Sequence, residues 1–358
     1  MDFPALKIGD MVSRIPIIQG GMGVGISLAG LASAVANEGG IGVIAAAMIG
    51  IDEPDVTVNP TEANVRALKR EIRKARELTD GIIGVNIMVA MTHYADLVKA
   101  SIEEGVDIII SGAGLPMDLP GYLINGAKTK LVPIVSSARA AKLICQKWLA
   151  KHDYIPDAFV VEGPKAGGHL GFKKEQIDDP DFVLDKLVKE VIETVKPFAT
   201  ERNTTIPVIA AGGVFTGGDI REMFNLGAAG VQMGTRFVGT YECDASPGFK
   251  ETYLNARKEN LVIIKSPVGL PGRAINNQFL DEVESGKKKP FKCPYQCIKT
   301  CDTDKSPYCI ALALAGAKKG KFKNGFAFAG ANAYRVNEIV SVKDLIRSLQ
   351  LEYDQSGN

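Results

Sequence analysis

The sequence predicts a (β/α)8 barrel, the TIM-barrel fold, followed by a C-terminal elaboration over the barrel mouth. Short apolar, β-branched runs alternate with segments of helical periodicity along most of the chain, and there are eight such runs. The predicted strands are residues 15–19, 41–45, 82–87, 107–111, 131–135, 158–161, 206–210 and 230–233. They are apolar almost throughout, as expected for strands buried on both faces. A doubly wound sheet is the alternative architecture.

The segments between these runs have apolar residues at helical spacing. The predicted helices are residues 28–37, 61–78, 94–104, 139–151, 182–198 and 218–226. From residue 246 the pattern changes to a charged helical segment at 247–259, a polar loop, four cysteines and a terminal helix near 342–349. We therefore assign residues 1–245 to the barrel and residues 246–358 to the elaboration.

The overall charge gives no sign of a nucleic-acid or membrane partner. The 358 residues include 42 basic and 41 acidic side chains, a net charge of +1, so any anion site must be local. The N-terminus lacks a basic region followed by an apolar core, and no apolar run is long enough to cross a bilayer. We therefore expect a cytoplasmic protein with a small-molecule substrate; a homo-oligomer remains open.

Glycines follow several of the predicted strands, where a barrel carries its functional groups. The seventh strand is followed by Gly212 and Gly213, and the eighth by Gly234 and Thr235. Loops at this corner of such barrels commonly bind phosphate through backbone amides, and glycine allows a close approach. The sequence therefore predicts a phosphate site here, although either pair alone could simply turn the chain.

The stretch VEGPKAGGHLGF, residues 161–172, follows the sixth predicted strand. It places Gly167 and Gly168 directly before His169, one of only three histidines in the chain. A titratable imidazole beside such bare backbone predicts a functional group at the barrel mouth.

Six stretches, in chain order, resemble the nitronate monooxygenase family, formerly called 2-nitropropane dioxygenases. They also resemble the related FMN-dependent enoyl-[acyl-carrier-protein] reductases of type II. The stretches are IPIIQGGMGVGISLAGLASAVANEGGIGVIA, GVNIM, SGAGLP, GPKAGGHLGF, IPVIAAGGVFTGGDI and GAAGVQMGTRFV, spanning about residues 12 to 240. The resemblance implies a TIM barrel that holds FMN at its mouth.

The resemblance also implies a set of site residues. It places Gly21 and Met22 beside the flavin ring, Asn86 at the ring edge, and His169 at the position of the family's catalytic histidine. Glu162 stands where the family usually has a glutamine near the ribityl chain. Together with the glycines after the strands, this gives the predicted FMN-binding residues Gly21, Met22, Gly23, Asn86, Ser111, Glu162, Lys165, Gly167, Gly168, Gly212, Gly213, Gly234 and Thr235.

Lys165 is a departure from the family pattern, which commonly reads E-A-G-G-H where this chain has K-A-G-G-H. An ammonium group close to His169 would disfavour the imidazolium. We therefore expect Lys165 to lower the pKa of His169.

These residues predict an FMN-dependent oxidoreductase. Oxidation of alkyl nitronates with O2 is preferred by a small margin over an NAD(P)H-dependent reductase, which would act on enoyl-acyl carrier protein or on another acceptor. The SGAGLP stretch lies closer to the reductases. Under that alternative, NAD(P)H is a co-substrate, and the basic run of residues 287–289 could meet an acidic carrier protein.

Four of the six cysteines crowd into one late segment: Cys293, Cys297, Cys301 and Cys309. On a helix the first three thiols would share a face, so zinc or an iron–sulfur cluster is conceivable. Their spacing matches neither C-x2-C pairs nor ferredoxin runs. We therefore predict free thiols and no metal, with a redox-sensing FMN-binding protein as a further alternative.

Overall fold

The computed structural model describes residues 3–124, 126–288 and 293–357. The strands are β1 (Leu6–Ile8), β2 (Met11–Ser13), β3 (Ile17–Gln19), β4 (Gly42–Ala45), β5 (Ile83–Met88), β6 (Ile108–Gly112), β7 (Lys130–Val135), β8 (Phe159–Glu162), β9 (Gly168–His169), β10 (Val208–Ala211), β11 (Gly230–Met233), β12 (Leu261–Lys265) and β13 (Pro271–Ile275). The α-helices are α1 (Ala29–Asn37), α2 (Pro60–Leu78), α3 (Tyr94–Glu103), α4 (Ala138–His152), α5 (Leu184–Glu201), α6 (Gly217–Asn225), α7 (Thr235–Val238), α8 (Pro247–Leu254), α9 (Gln278–Glu284), α10 (Ile310–Lys318) and α11 (Val342–Gln355).

Eight parallel strands form the predicted barrel, in the order β3-β11-β10-β8-β7-β6-β5-β4. A parallel bridge between Ile18 and Ile41 joins the first and last strands, and the amide of Gln19 donates to the carbonyl of Ile41 at 2.9 Å. Helices α1 to α6 connect successive strands, as parallel pairing requires, except that β6 and β7 are joined by a loop with a short 3-10 helix at Leu119–Tyr122. The predicted TIM barrel is confirmed, and the doubly wound alternative is excluded.

One apolar cluster fills the inside of the barrel. Its members alternate along the strands, because successive side chains of a strand point to opposite faces. They are Leu6, Ile8, Ile18, Ile41, Val43, Ile108, Ile110, Val132, Ala158, Val160, Ile209 and Ala211. A second, larger cluster lies between the strands and the surrounding helices.

An N-terminal hairpin, β1 paired with β2, closes the bottom of the barrel. Leu6 and Ile8 are 1% and 0% exposed and belong to the interior cluster. A Cβ at Gly230, the first residue of β11, would lie 3.0 Å from the Leu6 side chain. The sequence patterns did not predict this hairpin, because two three-residue strands are too short to show a period.

The chain after residue 246 divides into two parts. Strands β12 and β13 form an antiparallel hairpin that pairs with β9 above the barrel, whereas α11 contacts α6 and α1 on the outer helical layer. The predicted helix at 247–259 is α8, which ends at Leu254, and part of the predicted polar loop is the hairpin. The predicted cover over the mouth therefore comes from the segment before α11.

Among the described helices, none combines the length and the apolarity needed to cross a bilayer.

Of the basic run predicted as a carrier contact, Lys289 lies outside the described residues. Lys288 forms an ion pair with Glu282 at 2.7 Å and lies over the ring of Phe279.

Candidate active site

A cavity of about 620 Å³ opens at the carboxyl ends of the barrel strands. This volume is in the range that holds a cofactor or a drug-sized ligand. Barrel loops supply most of the lining, and the segment after residue 246 supplies the rest: Phe249, Tyr253, Leu270, Leu314, Phe328, Ala329, Gly330, Ala331 and Asn332.

The structure brings nearly all of the sequence-predicted site residues to this cavity. Those that line it are Gly21, Met22, Gly23, Asn86, Glu162, Lys165, Gly167, Gly168, His169, Gly212, Gly213, Gly234 and Thr235. Ser111 is the exception. It is 0% exposed, and its hydroxyl donates to the carbonyl of Ile87 and bonds the hydroxyl of Tyr94. Ser111 therefore stabilises the packing of β6 against α3, and it does not contact the cavity.

The predicted phosphate corner is a cradle of bare backbone. Gly212 and Gly213 have φ of +90° and +108°, a region that side chains rarely adopt. A Cβ at Gly212 would lie 2.7 Å from the carbonyl oxygen of Gly163, and a Cβ at Gly330 would lie 2.6 Å from the hydroxyl of Thr235. Glycine is thus required at Gly212, and a side chain at Gly330 would displace the Thr235 hydroxyl, so both the barrel and the C-terminal segment leave this corner bare.

Asn332 completes the cradle from the C-terminal segment. Its side-chain amide donates to the carbonyl of Gly213 at 2.7 Å. Sequence patterns missed this residue, and the only signal was the small-residue run GANA at residues 330–333.

The residues present fit FMN. The side-chain oxygen of Gln232, which lines the cavity, is buried without a hydrogen-bond partner among the residues that the structure places. Such a buried acceptor needs a donor from elsewhere, and FMN offers hydroxyl donors. Position 21 must be glycine, because a Cβ at Gly21 would lie only 2.3 Å from the Cβ of Asn86. An orphaned polar group and a bare phosphate cradle are what a ligand with hydroxyls and a phosphate requires.

Glu162 is the last residue of β8 and stands opposite Ala211 of β10 at the floor of the cavity. Its carboxyl has no hydrogen-bond partner among the described residues. Burial raises the pKa of Glu162 to about 7, because a charged carboxylate loses its hydration there.

His169 lies on β9, opposite Gly272 of β13. Its Nε2 is 2.8 Å from the hydroxyl of Ser266, and the ring of Phe328 contacts the imidazole edge-on with centroids 5.0 Å apart. Burial lowers the pKa of His169 to about 4. The imidazole is therefore neutral at physiological pH.

The pKa of His169 is lowered, as predicted, but the predicted cause, the Lys165 ammonium, is wrong. Burial lowers the pKa of His169, and the Lys165 ammonium does not contribute. Lys165 instead lies against the phosphate corner, since a Cβ at Gly213 would come within 3.0 Å of the Lys165 Cβ. His169 instead contacts Ser266 and Phe328.

The four late cysteines lie in turns and irregular chain, so the one-face helix considered for them is wrong; Cys309 immediately precedes α10. All four are free thiols. Within the described residues, no group of three or more His, Cys, Asp or Glu side chains is placed to hold a metal ion. Burial, and secondarily the nearby thiols, raise the pKa of Cys297 to about 12, which keeps it protonated.

A TIM barrel with a cradle of bare backbone, an unpartnered amide oxygen and a neutral histidine at its mouth fits one class of protein, the FMN-type TIM-barrel oxidoreductases. The family model for nitronate monooxygenase matches residues 6–352. The chain therefore belongs to the nitronate monooxygenase family, as the sequence motifs predict, and it is an oxidoreductase.

Several relatives agree with this assignment. One relative is a Mycobacterium tuberculosis protein named (3aS,4S,5R,7aS)-5-hydroxy-7a-methyl-1-oxo-octahydro-1H-indene-4-carboxyl-CoA dehydrogenase. The two proteins are 32% identical over a segment that covers 76% of this chain and 66% of the relative. A probable nitronate monooxygenase of Staphylococcus aureus (strain Newman) is 29% identical over 77% of this chain and 80% of its own length.

Two solved structures share the fold. FabK from Thermotoga maritima superimposes with a TM-score of 0.72 at 29% identity, covering 96% of this chain and 94% of FabK. Nitroalkane oxidase from Streptomyces ansochromogenes gives a TM-score of 0.73 at 23% identity, covering 96% of each chain. The second similarity concerns the fold alone.

Proposed function

We propose that this protein is an FMN-dependent oxidoreductase that reduces the carbon–carbon double bond of an enoyl thioester, a reacting group without charge, with NAD(P)H as the reductant. The observation that carries the proposal is the distribution of charge. Within the described part of the chain, Glu162 and Lys165 are the formally charged residues that line the cavity. Lys165 lies at the phosphate corner, so it would serve the FMN phosphate rather than an anionic substrate.

The surroundings of His169 support an uncharged reacting group. Its imidazole is neutral, so it offers a nitronate anion no opposite charge. Much of the remaining lining is apolar, including Met22, Leu115, Phe172, Phe182, Leu270 and Phe328. An acyl chain would bury apolar surface against these side chains.

Two similarities agree with a thioester. The Mycobacterium tuberculosis relative is named as a dehydrogenase of a carboxyl-CoA compound. FabK is an enoyl-[acyl-carrier-protein] reductase of type II, the class that the motifs also resemble.

The chain's own residues divide the work between two ends of the cavity. Gly212, Gly213, Gly234 and Thr235 would hold the FMN phosphate, with Lys165 supplying positive charge. FMN, when bound, supplies the hydride-transfer chemistry. His169 would bind the polar end of the substrate, and the C-terminal segment would exclude water from the mouth.

Oxidation of a nitronate is the second candidate, favoured by the family match and by the Staphylococcus aureus relatives. Anaerobic mixing separates the two. FMN-loaded protein is mixed separately with NADH, NADPH and propionate 3-nitronate, and flavin absorbance is followed. We expect a nucleotide to bleach the flavin and trans-2-enoyl-CoA thioesters to restore its colour. Bleaching by the nitronate and by neither nucleotide would overturn the proposal in favour of nitronate oxidation.

The raised pKa of Glu162 predicts that FMN binding depends on pH. Below pH 7 its carboxyl is protonated, and above pH 7 it becomes an anion in the cavity proposed for FMN, which is itself an anion. FMN affinity should therefore fall as pH rises through 7, by up to about tenfold per pH unit at the limit. Titration of apoprotein with FMN from pH 6 to 9, followed by flavin fluorescence, measures this.

Glu162→Gln is the matched control, since it keeps the shape and removes the titration. We expect its FMN affinity to be nearly flat above pH 7. Parallel pH profiles for wild type and variant would show that Glu162 does not control binding.

A further inference from the structure

Ser266 lies at the end of the β12–β13 hairpin and is 3% exposed. The hairpin contacts His169 through both its backbone and its side chain. Its strand β13 pairs with β9, and the amide of Leu170 donates to the carbonyl of Pro271 at 2.9 Å. The Ser266 hydroxyl then meets the imidazole Nε2 at 2.8 Å. Backbone and side chain of the histidine are thus fixed by one element.

The hydrogen bonds of Ser266 determine the direction of this contact. Among the described residues, the hydroxyl oxygen has two partners: the backbone amide of Val268, which donates to it at 3.4 Å, and Nε2 of His169. The hydroxyl proton therefore has one acceptor available, Nε2. If Nε2 carried a proton instead, a buried hydroxyl donor would be left unsatisfied, which proteins avoid.

The tautomer of His169 follows from this direction. A neutral imidazole carries one proton, and a ring nitrogen that accepts a hydrogen bond leaves that proton on the other nitrogen. Nδ1 has no hydrogen-bond partner among the described residues. It is also not one of the fully buried side-chain atoms that lack a partner. Nδ1 is therefore exposed, and His169 lines the cavity.

We propose that Ser266 is a positioning residue that holds His169 as the Nδ1–H tautomer, so that the histidine presents a hydrogen-bond donor to the substrate. A lone pair on Nδ1 would make His169 a general base, whereas an N–H there makes it a donor to an oxygen acceptor. The acceptor fits a thioester carbonyl oxygen, and this part rests on the proposed function. The tautomer itself does not depend on the substrate.

Nitrogen-15 NMR of FMN-loaded protein labelled at histidine tests the tautomer directly. The chain has three histidines, so His93→Gln and His152→Gln variants assign the remaining signals. We expect His169 to show a protonated Nδ1 and an unprotonated Nε2 in wild type and in Ser266→Thr. In Ser266→Ala we expect the proton to move, wholly or in part, to Nε2. A protonated Nε2 in wild type, or an unchanged tautomer in Ser266→Ala, overturns the proposal.

Kinetics test the consequence for turnover. Ser266→Ala should lower kcat at least tenfold while FMN affinity stays within about twofold of wild type, and Ser266→Thr should restore most of kcat. Retained FMN binding shows that the variant is folded. An unchanged kcat in a variant whose tautomer has moved would refute the catalytic use of the donor. Failure of the enoyl-thioester assay alone would refute the proposed substrate and leave the NMR result standing.

Discussion

Gly213→Ala is expected to weaken FMN binding by about 10- to 100-fold. Its φ of +108° strains any side chain, at a cost of about 1–3 kcal/mol. A new Cβ would also lie 3.0 Å from the Cβ and 3.1 Å from the Cδ of Lys165. The backbone must shift, and the proposed phosphate cradle shifts with it. Fluorescence titration of apoprotein with FMN gives the affinity.

Gly105→Ala is the matched control. Gly105 also has a positive φ, +66°, but it follows α3 and a Cβ there would meet nothing within 4 Å. We expect a similar local strain with FMN affinity unchanged. If Gly213→Ala also binds FMN like the wild type, the phosphate site has been placed at the wrong corner.

His169→Ala is expected to lower kcat by about 100- to 1,000-fold while FMN remains bound. Loss of one aligned hydrogen-bond donor to a developing oxyanion costs about this much in other enzymes. The backbone pairing of His169 with Gly272 does not need the imidazole, so the cavity should persist. Steady-state turnover and the flavin spectrum of the same preparation provide the measurement.

His169→Asn refines this test, because its amide nitrogen can occupy a position near that of Nδ1. We expect it to recover part of the turnover lost in the alanine variant. A His169→Ala enzyme with wild-type turnover would remove the histidine from the mechanism.

The barrel was predictable from sequence because each βα unit carries its own periodicity. The eight predicted strands and six predicted helices are present, with ends displaced by a few residues. The place of Gly212, Gly213, Gly234 and Thr235 at the cavity was predictable for a similar reason, since each pair directly follows a strand; their binding of phosphate stays a prediction. In both cases the residues that carry the sequence pattern are the same residues that form the structure.

The contacts of His169 were not predictable in this way. Ser266 is 97 residues away from His169 in the chain, and only the fold of the hairpin brings them together. Residues 261–264 were predicted as part of a polar loop although they are apolar, and nothing in them indicated β9 as a partner. The same applies to Phe328, which contacts the imidazole from another segment.

Two errors came from treating sequence neighbours as spatial neighbours. Lys165 is four residues from His169, yet it lies against Gly213. Ser111 directly precedes Gly112, the last residue of β6, but its side chain points to the outer face, so of the two only Gly112 lines the cavity.

The flavin content of the purified protein tests the central claim, that the cavity at the barrel mouth holds FMN. The protein is incubated with FMN, freed of excess ligand by gel filtration and denatured, and the released flavin is measured per chain. We predict a yellow protein that releases one FMN per chain, and a Gly213→Ala protein that retains substantially less. A colourless wild-type protein that takes up no FMN would contradict the account.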